Sequence, residues 1–148
     1  MQSNQNRMSV SEVQEKLMKI ITEDLKIEAN VQEEGVIIIP NGYGSYIFQF
    51  NDRYLNIWDT DIYTIRAAST MLPKVRNYIN KFHIGNLTTL VLTPTDEFGR
   101  RRIWHRFTTL LRPELLGKDF ITGFVRSLHE ARKRILNDLD EIEREHYT

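Results

Sequence analysis

Apolar residues recur at helical spacing near the start of the chain. Val10, Val13, Leu17, Ile20, Ile21 and Leu25 fall on one side of a helix over 9–25, with Glu12, Glu15, Lys16, Lys19 and Glu23 opposite. Ser9 stands three residues before Glu12, the spacing of a capping box. The period then shortens to two. Ile27 to Val31 is compatible with the opening of a strand, and Glu33-Glu34-Gly35 with a turn. Val36-Ile37-Ile38-Ile39 is a β-branched run that suits a pleated surface better than a helix. Pro40-Asn41-Gly42-Tyr43-Gly44 ends it in concentrated turn chemistry.

The next segment carries its own check. A tight two-residue turn at Asn51-Asp52 pairs Phe50 with Arg53, Phe48 with Leu55 and Tyr46 with Ile57. One face then carries Tyr46, Phe48, Phe50, Leu55 and Ile57; the other carries Ile47, Gln49, Tyr54, Asn56 and Trp58. The first set is apolar and the second mixed, as a half-buried antiparallel sheet requires. Farther on, Met71, Leu72, Val75, Tyr78, Ile79 and Phe82 mark a helix over 70–82 with Pro73 in its first turn. Leu87 to Thr93 and Arg100 to Leu111 read as a second hairpin, and residues 118–145 as a long final helix. The polar tail of that helix, 141–146, is expected to project beyond the core.

The order is α-β-β-β-α-β-β-α, which implies an α+β domain: an antiparallel sheet with helices packed on it. Residues 9–148 form one domain on this reading, preceded by a disordered arm over 1–8.

Composition narrows the functional classes. The chain has 20 basic and 20 acidic residues, and a dedicated nucleic-acid binder usually carries a basic excess. No cysteine is present, which removes disulfides and thiolate metal sites. No apolar run approaches the roughly 18 residues of a membrane span, so a cytoplasmic location is expected, with no membrane partner.

No constellation of reactive groups stands out. His83, His105, His129 and His146 show no i, i+3 or i, i+4 pairing. Asp59 and Asp61 are alternate residues that suit a turn or helix cap better than a cation. Gly42-Tyr43-Gly44 lacks the remainder of a phosphate loop, and Asn86-Leu87-Thr88 matches a glycosylation acceptor that has no use in the cytosol. The reading is therefore a protein without catalytic residues, cofactor or metal.

One charge run is informative. On a strand, Arg102, Trp104, Arg106 and Thr108 point one way, while Ile103 and Phe107 point into the core. Two guanidinium groups around an indole can hold a peptide or a second subunit, since Trp and Arg are common interface anchors. They can also stack bases and neutralise phosphates. Ile47, Tyr54 and Trp58 extend this outer face if both hairpins share one sheet. The helix at 70–82 is the one element left to cover it.

In its layout the chain resembles the type III secretion chaperone-like fold and, more closely, the YbjN-like group of small bacterial proteins. Tyr78-Ile79-Asn80-Lys81-Phe82-His83-Ile84-Gly85 corresponds to a family helix that ends in Asn before a Gly-containing link; the strand pair, Pro113 and the helix from Lys118 follow. The resemblance implies a non-enzymatic, homodimeric, chaperone-like or regulatory module that holds a partner polypeptide. Secretion chaperones are typically acidic, and this chain is neutral. The expected contact residues are Tyr54, Trp58, Tyr78, Arg102, Trp104 and Arg106. The rival reading is a single-stranded nucleic-acid binder using Arg102, Trp104 and Arg106.

Overall fold

The computed structural model describes residues 8–42, 44–85, 88–112 and 116–148, with only the backbone of 84 and 85. Helix α1 spans Val10–Lys19, and its capping box forms: Ser9 Oγ accepts from the Glu12 amide, and the Glu12 carboxylate accepts from the Ser9 amide. A π-helical turn, Ile20–Asp24, continues it. Strands β1 (Asn30–Glu33), β2 (Val36–Pro40), β3 (Ser45–Phe50) and β4 (Tyr54–Arg66) follow. Helix α2 (Leu72–Gly85), strands β5 (Thr89–Leu92) and β6 (Arg100–Leu110), and helix α3 (Lys118–Tyr147) complete the chain.

The described strands form one antiparallel sheet in the order β1-β2-β3-β4-β6-β5. The α+β class is as the sequence pattern implies, with one strand more before the middle helix. β4 also runs on to Arg66, well past the hairpin residues paired in the sequence analysis.

The first hairpin keeps its faces but not its expected register. Phe50 pairs with Leu55, Phe48 with Ile57 and Tyr46 with Asp59. Asn51 is responsible. Its Oδ1 accepts from the Arg53 and Tyr54 amides, while its own amide donates to the Tyr54 carbonyl, so four residues instead of two lie between Phe50 and its partner Leu55. The pairing slips by two, the side-chain period of a strand, and every residue stays on its predicted face.

All described helices pack on one side of the sheet. One apolar cluster joins α1 and the π-turn to Ile37, Phe48, Leu55, Ile57 and the first half of α3. A second joins α2 to Leu90, Ile103, Ile65 and the last half of α3. Helix α2 therefore does not cover the outer face. Its Val75, Ile79 and Phe82 enter the second cluster, beside α3. The end of α3 is also docked, since Glu143 accepts from the Tyr63 hydroxyl and His146 Nε2 lies 2.8 Å from Thr70 Oγ1.

Candidate partner-binding face

A bulge in β4 organises both sides of the sheet. Asp59 pairs with His105 and Tyr63 with Ile103, so β4 advances four residues while β6 advances two. Asp61, with φ of 53°, makes the reversal. Strict alternation would put Asp59 and Asp61 on one face; the bulge sends them to opposite faces. Gly44 lets β3 approach this kink, since a Cβ there would lie 2.6 Å from Thr60 Oγ1. Thr60 Oγ1 in turn accepts from the Ser45 amide.

On the helix side, Asp59 is fully buried and ion-paired with Arg132 from α3. Asn41 donates to the same carboxylate oxygen at 3.2 Å. Arg132 also donates to the Thr60 and Asp61 carbonyls, satisfying backbone acceptors at the bulge. Burial pushes the Asp59 carboxyl up to about 6, against the opposing pull of the Arg132 guanidinium. Next to it, burial and then the Arg134 charge lower His105 to about 4, so the imidazole is neutral at pH 7. Its Nε2 is bonded to Thr88 Oγ1, and its ring meets Phe82 edge-on.

The outer side is built differently. Trp58 and Trp104 meet edge to face, with ring centroids 5.7 Å apart. The Arg106 guanidinium lies over Trp58 at 5.2 Å. Trp104 Nε1 donates to Asp61 at 3.0 Å, and Trp58 Nε1 to Gln49 at 3.4 Å. Arg102 is paired with Asp96 at 2.9 Å and lies 3.7 Å from Asp61. The Arg100 and Phe98 amides, with Arg102, hold the Asp96 carboxyl below its usual range.

Of the six residues expected to form a contact surface, five share this face. Trp58, Arg102, Trp104 and Arg106 touch or share partners, and Tyr54 lies at the far end of β4, opposite Leu110. Tyr78 does not belong with them. It projects from α2 on the other side of the sheet, where its hydroxyl donates to Asp138 of α3 at 2.7 Å. Burial and that bond raise its pKa.

No family model matches the chain, and no curated protein matches it. A solved structure does: the crystal structure of YbjN from E. coli, a protein proposed to be a transcription regulator. The match has a TM-score of 0.60 and 13% sequence identity, and covers 86% of this chain and 92% of that one. The two share a fold. That agreement supports the architecture and carries no residue-level role.

Asp59 and Asp61, expected to serve a turn or helix cap, instead lie within β4, on either side of its bulge. Asp59 works inside a buried ion pair, and Asp61 is an acceptor for an indole. His83 ties the end of α2 to β5, with Nε2 2.8 Å from Leu90 O and 3.0 Å from its amide nitrogen. The described residues include no group of three His, Asp or Glu placed to hold a metal ion. None of the described helices is long and apolar enough to cross a membrane. Arg132 is the functional-looking residue that sequence reasoning missed. A signal was present: it stands on the apolar stripe of α3, between Leu128 and Ile135, where a lone charge needs a partner.

Proposed function

We propose that this domain is a non-catalytic protein-binding module of chaperone-like or regulatory type, and that it pairs with a second copy through the sheet face opposite the described helices. The observation that carries this reading is the Trp58–Trp104 pair with Arg106 over it, on the side opposite all described helices. Clustered aromatics and arginine are the residues that dominate interface energy.

Charge favours a protein partner over a nucleic acid. Arg102 is already compensated by Asp96 and Asp61, so the strip holds two guanidinium groups and two carboxylates. A phosphate backbone would meet little net positive potential there. A strip with both signs can instead face a rotated copy of itself, and two-fold pairing is the commonest closed arrangement of soluble proteins.

Sedimentation equilibrium at micromolar concentration tests the reading. A dimer is expected, weakened by Trp104→Ala by about 2 kcal/mol or more, as for an aromatic anchor. The dimer should change little with salt, unlike a phosphate contact. A strictly monomeric protein at all concentrations overturns the pairing. A dimer indifferent to Trp104→Ala puts the contact on another surface.

A further inference from the structure

On the helix side of the sheet, away from the tryptophan pair, a cavity of about 340 Å³ opens between the π-turn, strands β2 and β3, and the first half of α3. Its size is at the small end of ligand pockets, which run from roughly 300 to 1,000 Å³. Leu25, Ile27, Ile39 and Val125 make its walls apolar. Arg126 and His129, one helical turn apart on α3, supply its cationic and polar side.

Three features of the cavity ask for an occupant. Ile27 leaves 37% of its surface exposed, in a protein that buries most of its isoleucines. Tyr46 lines the cavity, and its hydroxyl has no hydrogen-bond partner among the described residues. Arg126 and His129 are exposed and have no carboxylate partner among the described residues.

We infer that this cavity binds a small amphipathic monocarboxylate, a medium-chain aliphatic acid, with its chain against Ile27, Leu25 and Ile39 and its oxygens toward Arg126 and the Tyr46 hydroxyl. A guanidinium matches a planar carboxylate in a fixed fork, and a single arginine suits a monoanion better than a phosphate. The apolar walls add binding in proportion to the chain surface removed from water. The site lies on the opposite side of the sheet from Trp104 and is independent of the pairing proposed above.

Calorimetric titration of the whole protein with octanoate, and with octanol as the neutral match, tests the assignment. Octanoate should bind saturably, and octanol about tenfold more weakly, the difference expected for a hydrogen-bonded charge. Arg126→Gln and Tyr46→Phe should each weaken octanoate by about tenfold and leave octanol unchanged. Tyr46→Phe keeps the ring and so preserves the packing. Val125→Trp should fill the slot and abolish binding of both, while Trp104→Ala should leave binding intact. Equal affinity for octanoate and octanol would reduce the site to an apolar patch and overturn the inference. So would octanoate binding that survives Val125→Trp, or a failure to saturate at millimolar ligand. Sedimentation with anionic-lipid vesicles that octanoate does not compete away would replace the free acid by a membrane surface, and would equally overturn it.

Discussion

Asp59 and Asp61 stand two residues apart on one strand and live in opposite worlds. Asp59 is sealed beneath α3, with Arg132 as its charge partner. Asp61 stands at the outer surface, accepting from Trp104 and facing Arg102 across 3.7 Å. The same residue type, on either side of one bulge, thus serves a structural pair inside and a potential contact surface outside. The contrast in cost is large. A buried ion loses several kcal/mol of hydration that its partner must return, whereas an exposed pair contributes about 0–1 kcal/mol. The inner cluster should therefore control stability, and the outer strip should control association.

Breaking the inner pair gives the largest expected effect. Arg132→Met leaves the Asp59 carboxylate buried without its counter-charge, and should destabilise the fold by about 3–5 kcal/mol in urea unfolding. The double change Asp59→Leu with Arg132→Met removes both charges, and should recover most of that loss. If Arg132→Met costs no more than a surface substitution, the pair does not hold the bulge to α3.

How far such a contrast could be read from sequence depends on the range of the interaction. The two faces were legible because period two survives even a wrong register: Phe48, Leu55 and Ile57 are fully buried, although Asn51 lengthens the loop and shifts each pairing. Trp104 and Arg106 were likewise legible as outward neighbours on β6. The bulge was not. It depends on the left-handed conformation at Asp61 and on Thr60 meeting Ser45, which no local pattern encodes. Nor was the Asp59–Arg132 contact, which spans 73 residues and needs the crossing of α3 over β4 to be known. For the same reason Tyr78 was grouped with the outer residues: an apolar helix face shows that it is buried, not on which side of a sheet.

Acid sharpens the inner half of the comparison. His105 is lowered from 6.5 to about 4, so its contribution is complete above pH 6.5 and is lost as pH falls toward 4. Asp59 is raised from 3.8 to about 6, so its contribution runs the other way: present below 3.8 and lost as pH rises through 6. Between pH 6 and 4 the two oppose each other. The stability cost of His105→Asn should therefore shrink on acidification from pH 7 to 4, by at most about 3 kcal/mol. The cost of Asp59→Asn should grow over the same range. Urea midpoints at the two pH values check this. A His105→Asn cost that stays constant with pH would mean that His105 does not enter the fold neutral.

The smallest stability effect is expected on the outer face, at Arg106. Its guanidinium rests on the Trp58 ring and has no carboxylate partner among the described residues. Arg106→Gln keeps some of the aliphatic stem and the hydrogen-bonding capacity, and removes the cation. A partly exposed cation–π contact is worth about 0.5–1 kcal/mol, so urea unfolding of dilute, monomeric protein should shift by no more than that. Association should respond more strongly. In a two-fold pair the change is made twice, once in each copy, and an interface guanidinium is desolvated where a monomer's is not. A loss of dimer affinity well beyond the monomer's loss of stability would separate the two roles of the sheet: packing on the helix side, recognition on the other. If the two losses are equal and small, Arg106 does no more than cover Trp58, and the outer strip is ordinary surface.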